Sequence, residues 1–139
     1  MESTNKMLPR LQIKRRLEEI IADEWKHDLV DNFKTSVDPT PQVWITEINE
    51  SYSPISNVTD KKLNATCSIT VVVFSETNET EVHQIISQLM DLEPKDFPGL
   101  RINTITPQMG STNYQTDASE GHVMAAITLD LKYFFERNK

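Results

Sequence analysis

Between Leu63 and Phe74 the chain alternates strictly. Leu63, Ala65, Cys67, Ile69, Val71 and Val73 fall on one side, and Asn64, Thr66, Ser68 and Thr70 on the other. Successive side chains of a β-strand point to opposite faces, so this pattern specifies a long strand with one buried face. The same period returns between His122 and Phe135. There Val123, Ala125, Ile127, Leu129, Leu131 and Tyr133 face one way, and Met124, Ala126, Thr128, Asp130 and Lys132 the other. A half-apolar strand needs an apolar layer to bury against, so the chain must build a sheet covered on one side.

Amphipathic helices supply the cover. Leu17, Ile21, Trp25, Leu29 and Phe33 recur at four-residue steps with Ile13 and Ile20 alongside, which predicts one helix over 8–33. Asp38-Pro39-Thr40-Pro41 then forces an extended linker. Asn78 with Glu81 resembles a capping box and opens a second helix to about Leu92, its apolar stripe being Val82, Ile85, Ile86 and Leu89. Pro94, Pro98 and Gly99 break the chain after it.

Two further strands complete the sheet. Val43 to Ile48 reads as a short strand, although apolar residues fall on both of its faces. Leu100 to Thr106 reads as another, with Leu100, Ile102 and Thr104 on one side. Residues 49–62 and 107–121 read as long polar loops, the second without Lys or Arg. The expected fold is a single α+β domain over residues 1–139. It has a four-stranded, mainly antiparallel sheet with two helices on one face, in the order α-β-β-α-β-β. Both a split β-α-β and a meander strand order fit these connections.

Composition excludes several function classes. At 139 residues the chain is one domain by size. Its net charge of −7 argues against a generic nucleic-acid coat. One cysteine, Cys67, rules out an intramolecular disulfide framework and reads as a small buried hydrophobe. No signal peptide is expected from MESTNKMLPR, so the sequons at Asn57, Asn64 and Asn78 read as chance. The longest apolar run, Val71 to Phe74, falls far short of the ~20 residues of a membrane span.

No constellation for chemistry emerges. His27, His83 and His122 are scattered, with no spacing that would hold a metal. Nucleophile-elbow, Walker and dinucleotide motifs are absent, and only three glycines are present in all. The pairs Glu18-Glu19 and Asp23-Glu24 sit on an exposed helix face, where desolvation cannot tune them. No enzyme activity and no cofactor are therefore expected, and a binding or assembly role is.

The first helix is polarised, with Lys6, Arg10, Lys14, Arg15 and Arg16 at its start and acids beyond. That order opposes the helix dipole and suits a basic end that meets an acidic partner. A solvated face laced by Lys14–Glu18 and Arg15–Glu19 pairs is the plainer explanation. Candidate contact residues are Lys6, Arg10, Lys14 and Arg15 at the helix start and Trp44 in the short strand. Tyr52, Lys61 and Lys62 join them from the first loop, and Tyr114 and Asp117 from the second.

The whole-chain order resembles the tail terminator (tail completion) proteins of long-tailed bacteriophages. The resemblance rests on an N-terminal amphipathic helix, an extended Trp/Pro segment and the alternating strand Leu63–Phe74 leading into the helix Thr80–Leu92. Two closing strands follow, the last ending Leu129-Asp130-Leu131-Lys132-Tyr133-Phe134-Phe135. It is a pattern of elements without a matched motif, so no catalytic residue carries over. The resemblance implies a ring, a hexamer, that caps the tail tube, stops its growth and meets the head connector or neck protein. It places the chain in the virion, with assembly in the host cytoplasm and DNA only passing through the channel. Three other readings remain. One is a different neck, head-closure or baseplate adaptor of the virion. Another is a small ferredoxin-like ligand-binding regulatory domain. The third is a small hydrolase or transferase using Thr66, Ser68 and Thr70, which would need a nearby base.

Overall fold

A computed structural model describes residues 9–30, 41–54, 62–75, 79–117 and 122–136. The chain is α+β. Helix α1 spans Pro9–Glu19 and continues as a π-helical turn, Ile20–Glu24. A two-residue strand, β1, covers Asp28–Leu29. The long strands β2 (Gln42–Pro54) and β3 (Lys62–Ser75) follow, then helix α2 (Glu79–Met90). A 3₁₀ turn at Pro94–Asp96 leads into β4 (Ile102–Asp117) and β5 (His122–Glu136).

The five strands form one mixed sheet in the order β1-β2-β3-β5-β4. Only β1 runs parallel to its neighbour, and the other pairs are antiparallel. Strands β3 and β4 are thus parallel with β5 between them and α2 as their connection, which is the split β-α-β order rather than the meander. The expected four-stranded antiparallel sheet stands as β2 to β5, and β1 adds a fifth, parallel strand at the margin.

One core lies between the sheet and the helices. Ala65, Cys67, Ile69, Val71 and Val73 of β3 and Val123 to Tyr133 of β5 point into it at alternate positions. Ile13, Leu17, Ile20 and Ile21 close it from the first helical segment, and Val82, Ile85, Ile86 and Leu89 from α2. Phe97, 2% exposed, seals the corner after α2. Arg16 Nε donates to the Asp96 carbonyl at 2.8 Å and ties α1 to that corner.

Four elements differ from the sequence expectation, each for a local reason. The first helix does not run to Phe33. The Trp25 N–H reaches back to the Ile20 carbonyl at 2.8 Å, and the His27 N–H to the Ile21 carbonyl at 2.9 Å. Lys26 adopts φ 61°, the left-handed conformation that ends helices. The chain then turns into β1, and Leu29 reaches the core from a strand rather than a helix.

Strand β2 is twice the expected length, so residues 49–54 are ladder and not loop. A bulge between Ile45 and Glu47 inserts Thr46 and returns Ile48 to the inward face. The bulge accounts for Ile48, while Trp44, before it, does stand on the outward face opposite Val72. Strand β4 runs to Asp117, so most of the expected second loop is also strand. A bulge between Ile102 and Thr104 inserts Asn103. It places Thr104 opposite outward-facing Lys132 and turns Ile105 inward, against the expected alternation. The linker at 38–40, Phe33, the Asn78 cap and the sequon at Asn57 lie outside the described residues.

Candidate assembly surface

The helices cover one face of the sheet. On the opposite face, Asn49 and Ser51 of β2, Thr66, Ser68 and Thr70 of β3, Thr128, Asp130 and Lys132 of β5 and Thr104 and Thr106 of β4 stand in register. These side chains bond to one another across the strands. Ser68 Oγ donates to Asp130 Oδ1 at 2.7 Å, and the Thr70 and Thr128 hydroxyls meet at 2.9 Å. Such pairs are the ordinary cross-strand stabilisers of a sheet. Toward the opposite end the face turns apolar, where Val72 lies beside Ala126, and Phe74 beside Met124.

Among the described residues the carboxylates on this face are Asp130, which accepts from Ser68, and Glu47, which stands opposite Thr70 and accepts from Asn49 Nδ2 at 3.1 Å. His27 and His83 sit in the helical layer, in a cleft of about 870 Å³ shared with Trp25, Lys26, Gln84 and Gln88. There His27 Nε2 and Gln88 Oε1 are 2.9 Å apart. Among the described residues no group of three or more His, Cys, Asp or Glu side chains could hold a metal ion. Cys67 is fully buried, and burial pushes its thiol up to about 12, with the Glu50 carboxylate adding to the shift. It is chemically inert at neutral pH.

A buried charge at one end of β2 was not legible as a site. Glu50 faces inward at the position opposite Cys67, and its side chain is only 3% exposed. Arg10 Nη1 donates to Oε1 at 2.8 Å, the Tyr52 hydroxyl donates to the same oxygen, and the Tyr133 hydroxyl donates to Oε2. Desolvation pushes the Glu50 carboxyl upward. The hydrogen bonds from Tyr133, Tyr52 and Arg10 and the charge of Arg10 outweigh it and hold the group below the usual carboxylate range. Tyr133 is displaced the other way, by burial first and then by its bond to Glu50. This cluster fastens the start of α1 to the sheet.

The candidate contact residues divide accordingly. Arg10 and Tyr52, far apart in sequence, meet on Glu50. Lys14 bonds Glu18 at 2.6 Å as the helical spacing implies. Glu19, however, pairs with Arg16 at 2.5 Å rather than with Arg15, and Arg16 also holds Glu24 at 2.7 Å. Arg15 lies on the exposed side of α1, above a groove shared with Leu11, Ala22 and Leu29. Trp44 is half-buried on the outward face of β2. Tyr52 and Lys62 belong to strands β2 and β3, and Tyr114 and Asp117 to β4, not to loops. Lys6 and Lys61 lie outside the described residues.

No family model matches the chain, and none of the curated proteins does.

Among the described residues, no helix is long and apolar enough to cross a membrane. Among the described residues the geometry presents a self-bonded polar sheet face that neither helix covers, and sheet margins whose outer sides meet no described strand beyond β1.

Proposed function

We propose that the chain is a virion structural protein of a long-tailed bacteriophage. In this reading it is a tail terminator subunit that forms a ring, a hexamer, on the last ring of the tail tube and joins it to the head connector. The observation that carries the reading is the one-sided sheet. The chain extends thirteen- to sixteen-residue strands, and among the described residues its helices cover one of their faces and no strand pairs with the outer side of β4 or of most of β2. Open edges of this length invite pairing with another chain, and repeated head-to-tail contacts close rings. The α-β-β-α-β-β order of the longer elements also supports it. A net charge of −7 suits a channel through which DNA passes without sticking.

The test is assembly. Light scattering on a sizing column gives the mass across concentration and salt, and electron microscopy gives the length of tail tubes polymerised with and without the protein. A six-fold multiple of 16.0 kDa and tubes capped at one end are the expected results. A protein that stays monomeric and leaves tube growth unchanged refutes the reading.

A further inference from the structure

We infer that neighbouring copies of this chain join edge to edge, the outer side of β4 in one copy pairing antiparallel with the outer side of β2, residues 47–53, in the next. The inference rests on the ring reading above and names the surface that would make the ring.

Strand direction is the first argument. Strand β2 runs antiparallel to β3, β3 to β5, and β5 to β4. The outermost long strands of the sheet, β2 (beyond its two-residue pairing with β1) and β4, therefore run in opposite directions. When one sheet is laid beside an identical one in the same orientation, β4 meets the neighbour's β2 antiparallel, the better hydrogen-bonded arrangement. The helical layer stays on one side throughout.

The second argument is where the edges are open. Strand β1 pairs with β2 only at Gln42 and Val43. From Glu47 to Ser53 the outer side of β2 meets no described strand, and the outer side of β4 meets none along its length. The open stretches also lie at the same height in the sheet. Following the register across β3 and β5, Ser51 is level with Thr66, Lys132 and Thr104. Asn49 is level with Ser68, Asp130 and Thr106.

The third argument is what the edges carry. On the inward side, Ile48 of β2 and Ile105 of β4 pack against the core but remain half-buried, each at a margin. In the same register Ile105 is level with Glu50, whose charge Arg10 already matches, and Ile48 with Pro107, so edge-to-edge pairing covers both isoleucines. On the outward side the margins present Asn49, Ser51, Thr104 and Thr106, small polar groups that suit cross-strand contact, with Glu47 at the end of the stretch accepting from Asn49 Nδ2 at 3.1 Å. Pro107 and the irregular stretch up to Thr112 confine the pairing on β4 to its first half. A two-fold contact of β2 with β2, or β4 with β4, would close a dimer and leave the other edges open.

Single-cysteine substitutions at these exposed positions test the contact. Ser51→Cys and Thr104→Cys form one pair of variants, and Asn49→Cys and Thr106→Cys a second, two residues further along the same register. Native Cys67 is buried with its thiol pushed up to about 12, so it stays out of the reaction. Under mild oxidation, a mixture of a β2 variant with a β4 variant is expected to give roughly ten-fold or more disulfide dimer than either variant alone. Dominant cross-linking of Ser51→Cys with itself would overturn the inference in favour of two-fold pairing. Ring-sized particles that cross-link in no combination would overturn it while leaving the ring reading intact. A protein that stays monomeric up to about 1 mM would overturn both.

Discussion

Replacing Glu50 with alanine should destabilise the fold chiefly through a group that is not replaced. The carboxylate accepts from Arg10, Tyr52 and Tyr133. After truncation Arg10 and Tyr52 turn to water, since the Arg10 side chain is 44% exposed and Tyr52 46%. Tyr133 cannot, because it is 3% exposed and sits in the core on β5. Its stranded hydroxyl costs about 1–3 kcal/mol. The expected loss for Glu50→Ala is therefore about 2 kcal/mol. Tyr133→Phe alone removes one donor to a buried carboxylate and should cost about 1–2 kcal/mol by the same reasoning. The two losses should not add. Once Glu50 is gone, removing the Tyr133 hydroxyl relieves the stranded group, so the double variant should match Glu50→Ala or exceed it in stability. Urea unfolding of the four proteins, with an unchanged m-value as the two-state check, gives the coupling directly. Additivity within about 0.5 kcal/mol would refute the claim that Tyr133 depends on Glu50 for its partner. The pH dependence carries the same information with a fixed sign. Glu50 titrates lower in the folded chain than in the unfolded one. Its contribution is complete above the ordinary carboxylate range and is lost as pH falls through the folded value. Glu50→Gln should flatten that acid limb.

Three other outcomes are expected. Lys26→Gly should raise stability by about 0.5–1 kcal/mol, because Lys26 sits at φ 61° where glycine carries no steric penalty; an unchanged or lower urea midpoint would count against strain at that turn. The Cys67 thiol should not react with a disulfide reagent at pH 8 in the folded protein and should react fully in urea. Rapid native reaction would contradict its burial. Leu129→Ala should cost about 2–5 kcal/mol in urea unfolding, since Leu129 is 1% exposed at the centre of β5, and a loss below about 1 kcal/mol would mean that the core is not packed there.

The alternation of β3 and β5 was readable because both strands are central and one-sided. Each inward position from Ala65 to Val73, and from Val123 to Tyr133, is buried as the period of two requires. The stripe of α2 was readable for the same reason, since it has one face to bury. The edge strands resisted because each carries a bulge. Thr46 and Asn103 shift the period by one residue, and beyond the shift a continuing strand loses its alternation. In β2 the polar run from Asn49 to Ser53 hides the strand further, because an edge has little apolar surface to declare itself. The end of α1 was missed because Leu29 keeps a helical interval from Trp25 while reaching the core from β1. A spacing rule sees the interval and not the conformation.

Glu50 was invisible for a different reason, and it joins the fold to the proposed function. Its three donors come from α1, from β2 two residues on, and from β5 at 83 residues' separation. No local pattern links them: the sequence marks Arg10 only as part of a basic helix start and Tyr52 as an apolar residue in a polar stretch. The cluster sits on β2 within the stretch inferred to pair with the next copy, and it anchors the start of α1 there. A protein whose sheet margin must receive another strand needs that margin held straight, and a charged residue turned inward is also a device that keeps edges from pairing indiscriminately. Glu50 does the first through its three donors. It blunts the second because its charge is already matched by Arg10. Loss of the cluster should therefore loosen the edge before it unfolds the core. Hydrogen exchange of Glu50→Ala should rise first over residues 47–53, with β3 and β5 protected as in the parent chain. A uniform rise across all strands would instead mark Glu50 as a general stabiliser with no particular bearing on the margin.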